Sequence, residues 1–142
     1  MTEIRIADWA SERETLLAIR FAVFVHEQGV PAELEEDAED AKALHLLALS
    51  PDRQAIGTGR LLANGHIGRM AVHRDWRGRG VGSALLHTLL AEARRAGLRT
   101  VFLNAQCTAE PFYRRFGFQP EGEVFEDAGI PHRRMVRVLE DG

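Results

Sequence analysis

The chain has 142 residues, a formal net charge of −3, 45% hydrophobic and 27% charged residues, and a single cysteine. That length gives one domain, residues 1–142, large enough to bury a core without cross-links. Its mild acidity leaves no electrostatic footprint for nucleic acid, the lone Cys107 excludes an internal disulfide and a cysteine-built metal cluster, and no apolar run approaches the ~20 residues that span a bilayer.

Met1–Asp8 is charged and too short for a signal peptide, so the chain reads as cytoplasmic, with no membrane partner. Thr2–Ala7 alternates as a first strand. Ser11-x-x-Glu14 has the spacing of a capping box and predicts a helix start. That helix carries Leu16, Ile19 and Val23 on one stripe and Leu17, Phe21 and Phe24 beside it. Gln28-Gly29 stops it, with Pro31 following. Glu33–Asp40 is an acidic loop with a partial helical turn. Its charge reads as a solvated face or as an acidic lip that attracts a cationic amine.

Leu44–Leu49 is a buried strand, Pro51-Asp52 a turn, and Ala55–Leu62 a second strand. Asn64-Gly65 is a hairpin turn, so His66–Val72 pairs antiparallel with Ala55–Leu62. Val81–Ala96 is an amphipathic helix burying Val81, Leu85, Leu86, Leu89, Leu90 and Ala93, closed by Arg94-Arg95 and Gly97. Thr100–Ala105 returns as a strand through a right-handed crossover. Glu110–Phe116 is a short helix. Gln119–Phe125 and Arg133–Leu139 finish as an antiparallel pair around a turn at Asp127–Pro131. The sum is a mixed, mostly antiparallel α+β sheet with helices on both faces.

The densest signal is Arg77-Gly78-Arg79-Gly80-Val81-Gly82, between a strand and a helix. A glycine-rich turn opening a helix offers backbone N–H groups and the positive end of the helix dipole to an anion. A P-loop would need a Lys after the last glycine, which is absent. A Rossmann fingerprint would need Gly or Ala where Ser83 stands and a carboxylate in Arg99–Leu103. A plain glycine-rich helix start stays open. So does R-x-x-G-x-G, met by Arg77, Gly80 and Gly82, the pyrophosphate loop of acyl-CoA-dependent N-acyltransferases.

Downstream stand Asn104-Ala105-Gln106, Ala109, Phe112-Tyr113 and Gly117-Phe118. Together with the glycine loop, at this spacing, the chain resembles the GNAT superfamily of N-acetyltransferases over nearly its whole length. Arg20-x-x-Val23-Phe24-Val25-His26-Glu27-Gln28, the acidic run, and Asp127-Ala128-Gly129-Ile130-Pro131-His132 resemble the ElaA-type branch. The resemblance implies a three-layer α/β/α fold with a V-shaped splay between the fourth and fifth strands. It also implies acetyl-CoA as co-substrate. The loop Arg77, Gly78, Arg79, Gly80, Val81, Gly82 and Ser83 would hold pyrophosphate. Met70, Ala71 and Val72 would line the pantetheine arm and aim a backbone N–H at the thioester carbonyl. Asn104 would bind a pantetheine amide, with Phe112 beside it. Tyr113 would serve the departing sulfur as an acid.

An ammonium acceptor must lose a proton before it attacks. Glu27, His26, His73, Asp75 and His132 are candidates for taking it, with Glu27 the leading choice. Arg20, Gln28 and His132 are expected on the acceptor side, for a small-molecule or peptide amine. No metal is expected, since the six His are dispersed without H-x-x-x-H or H-x-E spacing. The predicted activity is acetyl transfer to a primary amine, directly, in a ternary complex. Two other readings stand beside it: a non-catalytic acyl-CoA-binding regulatory module, and an acyl-homoserine-lactone synthase type, faintly echoed by Arg20-Phe21-Ala22-Val23-Phe24. An exposed C-terminal strand leaves a homodimer open.

Overall fold

The structure is a computed structural model that describes residues 2–139. Two sheets make up its framework. Strands β1 (Glu3–Ala7), β2 (Leu44–Leu49), β3 (Ala55–Leu61) and β4 (Ile67–Val72) form one antiparallel sheet in that order. Strands β5 (Thr100–Gln106), β6 (Gln119–Asp127) and β7 (Ile130–Val138) form the other, with β7 in the middle. The sheets meet where His66 bridges Phe102 in parallel and the Phe102 amide donates to the Gly65 carbonyl at 3.0 Å. Beyond that apex β4 and β5 diverge, giving the expected splay.

Helix α1 (Trp9–Arg20) covers one face of the first sheet, packing Leu16 and Ile19, with Val23 just beyond its end, against Ala7, Leu47, Leu49 and Ala71. Helix α2 (Val81–Arg95) covers the other, with Leu85, Leu86 and Leu89 against Leu46, Ala48, Ile56 and Leu61. Because β2 is buried on both faces, it reads as an apolar run broken only by His45 rather than as an alternating one. The six residues expected to be buried on α2 are its buried residues, each full-sized side chain contributing roughly 1.5–3 kcal/mol of transfer free energy. Helix α3 (Glu110–Arg115) follows β5. The three-layer α+β arrangement is thus as the sequence implies.

Three local expectations are corrected. The N-cap of α1 is Asp8, not Ser11: the Ser11 amide donates to Asp8 Oδ2 at 3.2 Å and the Asp8 amide to Glu12 Oε1 at 3.0 Å. The capping logic is right but begins three residues earlier. The helix does continue to Gly29 (φ 74°), but Phe21–Glu27 widens into a π-helical turn, a feature often placed at functional sites. The last hairpin turns on Ala128-Gly129 alone, both at positive φ (52° and 78°). This suits a tight two-residue turn and draws Pro131 and His132 into β7.

Candidate active site

The diverging ends of β4 and β5 open a cleft of about 710 Å³. Val72 and Gly82 line it on one side, and Asn104, Gln106, Phe112 and Tyr113 on the other. Val23, Phe24, Gln28 and Val30 close it from the π-helical segment, and Asp127, Ala128, Ile130 and His132 from the β6–β7 hairpin. The two sequence blocks at residues 20–28 and 127–132 therefore meet at one mouth. Gln106 Nε2 donates to Gln28 Oε1 across it at 2.8 Å, and Gln106 is the β5 partner of His132.

Strand β4 carries a bulge. Its Gly68 and Ala71 pair with Arg60 and Thr58, so Arg69 and Met70 stand opposite Gly59 alone. Arg69 sits at φ 51°. A bulge re-aims the backbone beside it, here at Met70–Val72 on the cleft wall. The far wall is aromatic: Phe112 meets Tyr113 edge-on at 5.1 Å and leans on Phe116 at 5.3 Å. The Tyr113 hydroxyl points across the splay to Met70 Sδ, 4.0 Å away. Burial pushes its pKa up to about 12, so near neutrality it is a phenol with a proton to donate.

The glycine loop runs into α2, whose N-cap is Gly80 at φ 83°. Gly78 stands at φ 75°. No atom lies within 4 Å of where a Cβ would project at either, so the left-handed backbone, not crowding, demands glycine there. At Gly82 a Cβ would meet Phe112 and Val72 at an ordinary 3.8 Å. Gly82 and Ser83 belong to the first helical turn, where amides lack intrahelical partners. Val81 is buried in the core at 2% exposure, so only its amide is left for a ligand. Arg79 lies over the Trp76 ring at 4.8 Å.

Arg77 uses Nε to donate to the Val72 carbonyl at 3.1 Å and its two Nη groups to grip both oxygens of Glu27, at 2.9 and 2.8 Å. Glu27, the leading choice for the base, is thus engaged by the arginine of the glycine loop. Its carboxylate lies outside the cleft lining, and the Arg77 hydrogen bonds hold its pKa below the usual carboxylate range. His26, His73 and Asp75 also lie outside the lining.

Arg20 is corrected too. It is fully buried, donating Nε to Glu35 Oε1 at 2.8 Å and Nη1 to Asp40 Oδ1 at 2.9 Å, and it does not reach the cleft. Asp40 also accepts from Arg60 Nη1 at 2.9 Å, and Asp37 from Arg60 at 2.8 Å and Arg69 at 3.1 Å. Glu36 pairs with Arg13 on α1. Four of the six acidic residues are therefore paired with arginines, Glu35 and Asp40 of them buried, while Glu33 and Glu39 stay exposed. Burial works against the ionised Asp40, but hydrogen bonds from Arg20, the Asp37 amide and Arg60 bring its pKa to about 2. Burial pushes Glu35 upward despite Arg20. Two polar cleft residues were given no site role by the sequence: Arg69, and His66, whose ring stacks on Phe102 at 4.6 Å.

Comparison with known proteins agrees with this geometry. Residues 7–139 match the acetyltransferase (GNAT) domain family. YjcF of Bacillus subtilis, an uncharacterized N-acetyltransferase, is 36% identical over 123 residues, 84% of this chain and 87% of its own. Protein ElaA of Escherichia coli is 35% identical over 89% of this chain and 88% of its own. The crystal structure of ElaA superposes with a TM-score of 0.86 at 32% identity, covering 96% of this chain and 99% of that one. An acyl-CoA N-acyltransferase from Pseudomonas aeruginosa gives 0.87 at 32% identity, covering 97% and 100%. With its splayed strands, glycine-capped helix and cleft tyrosine, the chain belongs to the GNAT family of acetyltransferases, enzymes that use an acyl-CoA co-substrate and an amine acceptor.

Proposed function

We propose that this enzyme moves an acetyl group from acetyl-CoA to a primary amine by direct transfer in a ternary complex, in the cytoplasm. The observation that carries this reading is the Tyr113 hydroxyl poised across the splay at Met70, beside the open edge of β4 and the amides of α2. An extended pantetheine arm fits that edge as an added strand. Asn104, in the opposite wall, is within the same cleft to receive its amide. The amides of residues 78–83 face a pyrophosphate at a helix N-terminus. The re-aimed backbone at Met70–Val72 supplies the oxyanion donor, worth about 3–4 kcal/mol where such donors have been removed. Tyr113 protonates the leaving sulfur. A thiol of pKa ~8.5 leaves without much help, so the tyrosine contributes at the lower end of the ~10²–10⁴ range for such acids.

Calorimetric titration with acetyl-CoA, with CoA and NADPH as comparators, tests the donor site. Binding of acetyl-CoA and CoA but not NADPH, followed by amine-dependent thiol release in an acceptor screen, is the expected result. Failure to bind either thioester or thiol form overturns the reading.

A further inference from the structure

Direct transfer needs a group to take the proton of the incoming ammonium. Of the five candidates from the sequence, His132 alone lines the cleft. Its Nδ1 lies 2.6 Å from the Ile130 carbonyl oxygen. A carbonyl only accepts, so Nδ1 carries the hydrogen and donates it. In the neutral ring Nε2 is then left with its lone pair. The ring is further oriented by Phe125, stacked on it at 6.0 Å. It stands at the mouth beside Gln106 and hence Gln28. The other candidate bases in the cleft are placed differently: Asp127 is exposed at the end of β6, beside the hairpin turn. Glu35 is held by Arg20. His66 is stacked on Phe102 at the closed apex, and burial lowers its pKa.

We propose that His132 is the general base of the reaction, acting through Nε2, an inference that rests on the proposed transfer to an amine. Nε2 takes one proton from the ammonium. The freed nitrogen lone pair forms the C–N bond at the thioester carbonyl carbon. The C–S bond breaks, and its electron pair goes to sulfur, which receives the Tyr113 proton. The second nitrogen proton restores Tyr113, and His132 gives its own proton to water. The Ile130 carbonyl fixes the tautomer in the way a carboxylate does in other histidine bases.

Two measurements test this. The first is ¹⁵N NMR of the His132 ring in the intact protein, assigned with His132→Gln. The neutral ring should carry its hydrogen on Nδ1; a ring protonated on Nε2 overturns the proposal. The second is CoA release from acetyl-CoA with two small amines at pH 7: n-butylamine, which arrives protonated, and hydroxylamine, which arrives neutral. His132→Gln should lower butylamine turnover by about 10²-fold or more and leave hydroxylamine turnover close to the parent's. Equal losses for both amines, or no loss with butylamine, overturn it; if neither amine reacts, the ring tautomer decides. Calorimetry with acetyl-CoA separates this from failure of the donor reading: an unbound donor refutes that reading, whereas normal binding with the wrong tautomer refutes the base alone.

Discussion

Replacing Arg20 by Met separates a structural cation from a substrate contact. The guanidinium makes four hydrogen bonds in a fully buried setting, two to Asp40, one to the Glu35 carboxylate and one to the Glu35 carbonyl. Methionine fills much of the same volume but leaves two carboxylates at 3% and 1% side-chain exposure facing no Arg20. Asp40 keeps Arg60 as a partner, whereas Glu35 keeps only Arg69 at 3.6 Å. Removing one member of a buried ion pair costs about 3–5 kcal/mol. For a domain near this size each kcal/mol lowers Tm by roughly 2–4 °C, so Tm should fall by about 6–20 °C. Urea unfolding followed by circular dichroism gives the free energy, and calorimetry with acetyl-CoA on the still-folded variant gives donor affinity. The expected result is a large stability loss with donor affinity retained. A loss under about 1 kcal/mol, within the range of an exposed pair, together with abolished turnover, would refute the structural assignment and return Arg20 to the acceptor.

Tyr113→Phe should lower kcat by about 10²-fold without raising the KM for acetyl-CoA; an unchanged kcat removes Tyr113 as the acid. Glu27→Gln should free Arg77 and tighten acetyl-CoA binding by up to about fivefold, since a part-exposed pair is worth about 0.2–1 kcal/mol. Loss of turnover in that variant would restore Glu27 to the chemistry. Gly80→Ala places a Cβ on a φ 83° backbone, which costs roughly 1–2 kcal/mol even in open space, and donor affinity measured by calorimetry should fall. Asp40 is held at about 2 in the fold against an ordinary ~3.9 in the unfolded chain. A depressed value stabilises the fold above the unfolded pKa and is lost as pH falls through the folded one. Stability should therefore drop between about pH 4 and pH 2, and Asp40→Asn should flatten that slope in acid titrations, leaving the share from Glu12, held to about 2 by Arg5.

Helix α2 and the β3–β4 hairpin were legible because periodicity and turn chemistry act within a few residues. The glycine loop was legible because its motif has a local mechanical cause. Arg20 was misread for the opposite reason: its partners lie 15 and 20 residues away, and no local pattern records that pairing. One clue was present, since Arg20 follows Leu16 by four and precedes Val23 by three, placing a cation on the apolar stripe of α1. The bulge at Arg69 left no trace, because nothing in Gly68-Arg69-Met70 marks a left-handed residue. The pairing of Glu27 with Arg77, fifty residues on, left no local signature because it is a product of the fold. His132 was visible as a residue type, but its tautomer depends on the ring being turned back onto the Ile130 carbonyl, which the residue type does not record.

The splay also bears on which strand edges are open to other chains. Unpaired strand edges invite pairing with other chains. In this fold two such edges, on β4 and β5, face each other inside the V, beyond the reach of a neighbouring sheet. The outer edges are blunted in other ways. Strand β1 spans only five residues and carries Glu3 and Arg5, and β6 breaks register between Glu121 and Phe125 around Gly122. The most adhesive backbone in the molecule is thus turned inward, away from the edge of another sheet.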